Sequence, residues 1–263
     1  VYLFSMKKKK VIVIGAGFSG LSTATELADK GYEVMIVEKN EQAGGRARVF
    51  KEQGFTFDMG PSWYWMPDIF DNYFARFGKK TSDYYTLKRL DPSYSVVLSD
   101  TEVVDMPADY DALRNLFESI EPGAANALDR FLEQAAYKYK VGIQEFVWKP
   151  SVKITEFLSL RILVDALRMD VFSSFYSHVR KFFKSDTLLK LMEFPILFLG
   201  AISQNTPAMY SLMNYAEIKL GTWYPMGGMH LIVKGMVDLA LSKGVQIEYH
   251  AEVNGFAIEG GKV

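Results

Sequence analysis

The order of hydrophobic and polar residues near the start of the chain predicts a β-α-β unit. Residues 11–14 form a continuous apolar run, and so do residues 34–37, as is typical of parallel strands that are buried on both faces. Between them, apolar residues recur at helical spacing over 21–28, and Gly31 is expected to end that helix. The pattern therefore predicts two parallel strands joined by a helix.

The rest of the chain changes character twice. Alternating apolar and polar residues at 94–98 and 102–106 predict a β-hairpin. Residues 109 to about 199 follow a helical pattern, which opens on an aspartate suited to capping the first helix. A helix at 231–241 and a strand at 245–249 then bring back the α/β pattern. We therefore expect an α/β fold with a helical or mixed insertion.

These patterns divide the chain into three segments. Residues 6–105 form the first part of an α/β domain, residues 106–220 a mostly helical insertion, and residues 221–263 the return to the first domain. Met6 is expected to be the natural start. The turn residues at 259–263 lead into a strand that has no partner, so we expect the chain to be truncated at its C-terminus within a larger protein.

Composition and charge narrow the classes of function. Hydrophobic residues make up 49% of the 263 residues, which supports a packed core and excludes wholesale disorder. A net charge of −1 and the lack of a basic stripe argue against binding to nucleic acid. The sequence has no cysteine, which excludes thiolate chemistry, and its three histidines lack metal-ligand spacing, so we expect no metal site. The longest apolar run, 194–202, is shorter than the roughly 18 residues of a membrane-spanning helix.

A glycine cluster, GAGFSG at residues 15–20, stands between the first strand and its helix. Gly15 permits the tight turn out of the strand, Gly17 lets the backbone approach a pyrophosphate, and Gly20 lets helix and strand pack closely. The start of the helix, at Phe18 and Ser19, offers free N–H groups and the positive end of the helix dipole to phosphates. The cluster therefore predicts dinucleotide binding, with a purely structural glycine turn as the alternative.

Glu38 ends the second strand, about 20 residues beyond the glycine cluster. An acidic side chain at this place is suited to accept hydrogen bonds from ribose hydroxyls. Its charge should also repel a 2′-phosphate, which argues against NADP.

The next glycines point to a flavin. Gly44, Gly45 and Arg46 resemble the extended ADP-binding motif of the amine-oxidase and carotenoid-desaturase flavoproteins. Two glycines let the backbone lie against the ribose and pyrophosphate, and Arg46 supplies charge to a phosphate or to the flavin ring edge. The alternative is a surface turn with a solvated arginine.

A second segment extends the resemblance. Residues 54–63, GFTFDMGPSW, resemble the segment that runs under the flavin in bacterial-type phytoene desaturases. Gly60 and Pro61 would let the chain pass close to the isoalloxazine ring. Asp58 is expected to order this loop, with a role in proton transfer left open. The aromatic residues at 63–65 either wall a substrate tunnel or pack in the core.

A third segment, WYPMGGM at residues 223–229, resembles the place where the chain of this family returns from the substrate domain to the flavin domain. Val253 matches the family position whose backbone touches the adenine, with a buried strand residue as the alternative. The resemblance implies FAD as cofactor and a Rossmann-like FAD-binding domain, and it implies no catalytic residue. The cofactor-binding residues that it implies are Gly15, Gly17, Phe18, Ser19, Gly20, Glu38, Lys39, Gly44, Gly45, Arg46, Gly60, Pro61, Ser62 and Val253.

The resemblance also implies an activity. Phytoene desaturases remove hydrogen from carbon–carbon single bonds of a long apolar polyene, and the electrons pass on to oxygen or to a membrane quinone. We therefore expect an FAD-dependent desaturase of phytoene or a related carotenoid precursor. A carotenoid isomerase, an amine-oxidase-like flavoenzyme and an inactive fragment that folds in part remain as alternatives.

An apolar substrate of this kind dissolves in lipid, which suggests contact with a membrane. Apolar residues form one face over 157–167, and basic residues alternate with aromatic ones over 175–184, as in helices that lie on an anionic bilayer. A second apolar stretch follows at 195–202. We expect a cytoplasmic protein that binds peripherally to the inner face of the cell membrane, with ordinary buried helices as the alternative.

Overall fold

A computed structural model of the protein describes residues 9–147, 152, 169–258 and 260. The chain divides into two compact units. The first unit combines residues 1–88 with residues 224–263, and the second unit consists of residues 89–223. The first unit is thus built from two separate stretches of sequence. The domain boundaries that the sequence suggests, near residues 105 and 220, stay a prediction.

Strands and helices alternate in the first unit, whereas helices dominate the second. In chain order the elements are β1 (Lys10–Ile14), α1 (Phe18–Asp29), β2 (Glu33–Val37), β3 (Val49–Glu52), β4 (Phe55–Asp58), α2 (Pro67–Ala75), β5 (Leu87–Arg89), β6 (Tyr94–Val97), β7 (Val103–Met106), α3 (Tyr110–Ile120), α4 (Ala124–Tyr139), a π-helical segment (Lys140–Phe146), α5 (Phe175–Val179), α6 (Asp186–Glu193), α7 (Leu212–Leu220), β8 (Trp223–Pro225), α8 (His230–Ser242) and β9 (Gln246–Glu248).

A three-stranded parallel sheet, in the order β1-β2-β9, organises the first unit. Met35 in the central strand pairs with Ile12 of β1 on one side and with Gln246 of β9 on the other. Helix α1 connects β1 to β2 and packs against α8, which leads into β9. This arrangement confirms the predicted β-α-β unit and the Rossmann-like class of the fold.

Strand β1 differs from the expectation in its burial. Ile12 and Ile14 are 62% and 65% exposed, although the apolar run predicts a strand that is buried on both faces. Successive side chains point to opposite faces of a sheet. Ile12 therefore shares a face with its partner Met35, whereas Val34 and Ile36 are buried on the opposite face. The prediction of full burial is wrong for β1.

The second unit begins with the predicted hairpin. Strands β6 and β7 pair antiparallel, with Val96 opposite Val104. Asp109 caps α3 as expected, because its Oδ1 accepts a hydrogen bond from the amide of Ala112 at 2.8 Å. Helix α3 packs on α4, and α4 packs on α7. Helices therefore dominate this part of the chain, in agreement with the helical pattern that begins at residue 109.

The basic and aromatic segment at 175–184 does not form an interfacial helix. Helix α5 has five residues, and Phe175 and His178 on it are buried. Phe183 is buried as well, whereas Lys181 and Lys184 are exposed. The apolar rings thus enter the core and the charges face outward, so the alternative of ordinary core packing holds here.

Two other observations concern membrane contact. The apolar face expected over 157–167 lies outside the described residues. Pro195 and Ile196 are buried, whereas Leu197 and Ile202 are 61% and 56% exposed. Within the part of the chain that the structure describes, no helix combines the length and the apolar character needed to cross a membrane.

A fully buried lysine ties three parts of the second unit together. The Nζ atom of Lys138 lies 2.9 Å from Asp170 Oδ2, 3.2 Å from the carbonyl oxygen of Ala208 and 3.3 Å from Nε2 of His178. These partners match the three protons of an ammonium group. Burial lowers the pKa of His178 to about 4, and the charge of Lys138 adds to this. A neutral His178 therefore accepts the third hydrogen bond.

Candidate functional site

The glycine turn after β1 is tightly packed. Gly15 has φ +93°, and its amide donates a hydrogen bond to the carbonyl of Val37 at 2.8 Å. A Cβ atom added to Gly20 would lie 1.9 Å from the carbonyl oxygen of Gly15. No side chain fits at that distance, so Gly20 allows α1 to start against the end of β1, as the motif predicts.

The start of α1 is open to a ligand. Gly17 precedes the helix with φ −77°, no side chain caps it, and the first turn has no acidic residue. A Cβ atom added to Gly17 would have no atom within 4 Å. Helix geometry leaves the amides of Phe18, Ser19 and Gly20 without acceptors inside the helix. Free amides beside open space fit the pyrophosphate of a dinucleotide.

Glu38 lies beside this turn and is 5% exposed. Its Oε2 accepts a hydrogen bond from the amide of Ala16 at 2.7 Å, and its Oε1 accepts from the amide and the side chain of Asn40. Burial alone would raise the pKa of Glu38, but these hydrogen bonds bring it below the ordinary value. A carboxylate offers about four acceptor positions, so one remains for a ribose hydroxyl. Lys39, next in the chain, is exposed.

The second glycine pair packs against the first motif. The amide of Gly44 donates to the carbonyl of Ala16 at 2.8 Å. Gly45 has φ +57°, and a Cβ atom added to it would lie 3.4 Å from Cα of Gly17. Arg46 follows with an exposed side chain. Residues 28 positions apart in the sequence thus form one cradle at the end of the sheet.

Gly60 adds a further wall to this cradle. It has φ +114°, and an added Cβ atom would lie 2.3 Å from the carbonyl oxygen of Arg46. Only glycine combines this backbone angle with so close an approach. Pro61 and Ser62 follow with exposed side chains. Gly60 therefore lies against the backbone of Arg46, while the contact of residues 44–46 and 60–62 with a flavin stays a prediction.

Asp58 lies at the start of α8 and receives hydrogen bonds from residues far away in sequence. Its Oδ2 accepts from the amide of Met229 at 2.8 Å and from the hydroxyl of Tyr224 at 3.3 Å. Its Oδ1 accepts from the amide of His230 at 3.1 Å. Burial and the nearby carboxylate raise the pKa of Tyr224. These contacts agree with the ordering role expected for Asp58.

The aromatic residues at 63–65 separate into two groups. Tyr64 is buried, and its hydroxyl lies 3.0 Å from the hydroxyl of Tyr85. Burial raises the pKa of Tyr85 to about 12 and that of Tyr64 still further. The rings of Trp63 and Trp65 stack on each other, with centroids 6.1 Å apart and planes 15° apart. Tyr64 is thus a core residue, and the two tryptophans form a separate, half-buried pair.

Residues after β9 approach Glu38 through the backbone. The amide of Ala251 donates to the carbonyl of Glu38 at 2.9 Å, and that of His250 donates to the carbonyl of Asn40 at 3.1 Å. Val253, two residues farther on, is 40% exposed, so it is not the buried strand residue of the alternative. Its contact with an adenine stays a prediction.

Two features of this site are not predicted from the sequence, namely the contact of Asn40 with Glu38 and the pairing of Asp58 with the segment 223–229. Asn40 holds Glu38 in place, and its position two residues after the strand is a detectable signal, since asparagine commonly hydrogen-bonds to nearby groups in turns. The partners of Asp58 carry no such signal, because Tyr224 and Met229 lie 166 and 171 positions away.

Comparison with known proteins gives relatives among the desaturases. The chain is 40% identical over 244 residues to a carotenoid 3,4-desaturase of Haloarcula japonica, covering 92% of this chain and 49% of that protein. It is 32% identical over 258 residues to a zeta-carotene-forming phytoene desaturase of Myxococcus xanthus, covering 98% of this chain and 50% of that protein. The chain thus spans about half the length of the curated relatives it matches.

Solved structures and sequence profiles agree on the fold. The structure resembles putrescine oxidase bound to putrescine with a TM-score of 0.58 at 15% sequence identity, over 92% of this chain and 51% of that chain. Similarity at this level of identity concerns the fold alone. The profile described as flavin containing amine oxidoreductase matches residues 18–263. The chain therefore belongs to the family of flavin containing amine oxidoreductases.

Proposed function

We propose that the whole protein is an FAD-dependent desaturase that acts on phytoene or a related carotenoid precursor. The observation that carries this proposal is the cradle around Gly17, where open helix amides, a buried ionised Glu38 and the glycine pair 44–45 converge. The named activity of the relative at 40% identity supports the choice of substrate class.

Different residues of the cradle would hold different parts of FAD. The amides at the start of α1 would bind the pyrophosphate, and Glu38 would accept a hydrogen bond from the ribose. The negative charge of Glu38 also disfavours a 2′-phosphate at this position. Arg46 would add positive charge near the phosphates or the flavin edge, and the backbone of Val253 would contact the adenine. FAD, when bound, supplies the two-electron oxidant for removing hydrogen from a carbon–carbon single bond.

The substrate in this proposal is a long apolar polyene. It has no polar group to anchor, so the protein must bind it by shape and by apolar contact. The stacked pair of Trp63 and Trp65 provides one such surface near Gly60–Ser62 in sequence. We assign no catalytic residue, and oxygen or a membrane quinone takes up the electrons.

A lipid-soluble substrate calls for access to the membrane. We propose peripheral contact with the inner face of the cell membrane through the exposed apolar residues of 197–202, among them Leu197 and Ile202. The segment 175–184 is not part of this contact, because Phe175 and Phe183 are buried.

The test is a polyene profile. The whole protein is expressed in cells that accumulate phytoene, and the extracted polyenes are separated by chromatography. Coloured products with more conjugated double bonds are the expected result. Unchanged phytoene alongside flavin-loaded protein contradicts the substrate, and a product that differs only in double-bond geometry identifies an isomerase. Oxidation of an added amine identifies an amine oxidase, and protein without flavin identifies an inactive form.

A paired variant connects this test to the cradle. Gly17→Ala puts a methyl group into the space where the pyrophosphate binds, so flavin content and coloured product should both fall. Gly255→Ala is the matched control, because a Cβ atom added there also has no atom within 4 Å. Full flavin content in Gly17→Ala would contradict the proposed site.

A further inference from the structure

Asp58 links two parts of the first unit, namely the start of α8 and the loop that contains Gly60. On one side, its carboxylate accepts three hydrogen bonds from Tyr224, Met229 and His230. On the other side, Gly60 follows it by two residues and lies against the carbonyl of Arg46. The start of α8 is thereby tied to the wall of the cradle.

The path continues to the phosphate-binding end of α1. Gly45, next to Arg46, lies against Gly17, which precedes α1. Helices α1 and α8 pack side by side, and each precedes a strand of the parallel sheet. Both helices therefore begin at the same edge of the sheet. One carboxylate thus connects the starts of two neighbouring helices through the cradle between them.

The loop before α8 has little freedom once Asp58 holds it. Gly228 has φ +117°, and a Cβ atom added there would lie 2.8 Å from Nδ1 of His230 and 3.2 Å from Oδ2 of Asp58. Helix α8 has no acidic residue in its own first turn, so Asp58 supplies the negative charge that favours a helix start. Without it, both the loop and the start of α8 would lose their fixed position.

We infer that Asp58 is a positioning residue for the cofactor, acting through the contact of Gly60 with Arg46 and of Gly45 with Gly17. This inference rests on the proposed function, because it assigns Asp58 to the same FAD site. Asp58 itself touches the start of α8, so its effect on FAD is transmitted by the backbone of the cradle.

The hydrogen bonds of Asp58 allow a sharp test. Both carboxylate oxygens accept from backbone amides, one from Met229 and the other from His230. Asp58→Asn replaces one of these acceptors by an NH₂ group in either orientation of the amide, so a donor then faces a donor. Asp109→Asn is the matched control, because only one oxygen of Asp109 accepts at the start of α3, and asparagine can supply that oxygen.

The experiment titrates flavin-free, full-length protein with FAD and records the visible absorption band of the bound flavin. Asp58→Asn should raise the dissociation constant by about tenfold or more and alter the band, since hydrogen bonds to a charged group are lost. Asp109→Asn should leave both unchanged. Asp58→Asn protein that is folded by circular dichroism, with the affinity and band of the unmodified protein, overturns the inference.

A second variant decides the case in which Asp58→Asn does not fold. Tyr224→Phe removes a single hydrogen bond to Oδ2 and keeps the ring. It should weaken FAD binding by about threefold with an unchanged melting temperature, and unchanged affinity and band overturn the inference. Unmodified protein that takes up no FAD refutes the proposed function and the inference together, whereas unmodified protein that binds FAD isolates the role of Asp58.

Discussion

The hydroxyl of Tyr94 donates a hydrogen bond to the carboxyl group of Glu217, which is buried in the second unit. Burial raises the pKa of Glu217 to about 8, and the hydrogen bond from Tyr94 offsets only part of this. The side chain is therefore mainly neutral at pH 7.

For this pair we expect a loss of stability as the pH rises from the ordinary value of 4.5 to about 8. The pKa of Glu217 lies higher in the folded than in the unfolded state, so the folded state binds more protons. Its contribution is complete below the unfolded pKa and is lost as the pH rises through about 8. Glu217→Gln keeps an acceptor for Tyr94 without this titration. Over this pH range, the free energy of unfolding of the variant should rise relative to that of the unmodified protein by about 1 kcal/mol per pH unit. Urea unfolding from about pH 5 to about pH 8 checks this, and parallel profiles of the two proteins would contradict it.

For His178 we expect the opposite dependence, in which stability falls at acid pH. Burial first, and then the charge of Lys138, lower its pKa to about 4. The unfolded chain therefore binds a proton at His178 that the folded protein does not bind. Stability falls as the pH drops from the ordinary value of 6.5 towards 4. His178→Gln keeps an acceptor for Lys138 and should flatten this part of the profile. His250→Gln, at an exposed histidine, is the control and should follow the unmodified protein.

Lys138 predicts a large energetic cost for breaking a buried ion pair. Lys138→Met leaves Asp170 and the carbonyl of Ala208 without their shared donor, so the free energy of unfolding should fall by about 3 kcal/mol or more. Adding Asp170→Asn should restore part of this loss, because it removes the unpaired charge. Thermal unfolding of the two variants measures the difference, and equal stability of single and double variants would refute the coupling.

Two glycines of the cradle predict contrasting effects on stability. Gly20→Ala forces a methyl group to within 1.9 Å of the carbonyl oxygen of Gly15 unless the backbone moves, so the variant should lose about 3 kcal/mol or fail to fold. Gly17→Ala meets no atom within 4 Å and needs no unusual φ, so it should cost about 1 kcal/mol at most, as expected at a helix cap. Chemical unfolding of both variants compares them. Equal losses would mean that the packing around Gly20 is misassigned.

The parts of the fold that could be predicted are those that depend on residues close to one another in the sequence. The turn at Gly15–Gly20 and the placement of Glu38 follow from a local order of strand, glycines and helix. The hairpin of β6 and β7 follows from alternation around a polar turn. The cap at Asp109 follows from the position of one side chain before a helical pattern.

The parts that sequence did not predict depend on distant packing. The hydrogen bonds of Asp58 span 166 to 172 positions, and no local pattern records such a pairing. Phe175 and Phe183 alternate with basic residues as surface aromatics do, yet the tertiary fold buries them. Ile12 and Ile14 show the reverse, since both are exposed. An apolar run indicates a preference for burial, but it does not indicate which face of the sheet other elements pack against.

The complete burial of Lys138 has a consequence for chemical labelling. Its side chain is 0% exposed, and its three protons are all engaged. Reagents that acylate amines react with accessible, unprotonated lysines, so this amine should resist them while the exposed Lys181 and Lys184 react. Modification of Lys138 would then begin only when the second unit opens. The extent of labelling at Lys138 would therefore report how often that opening occurs.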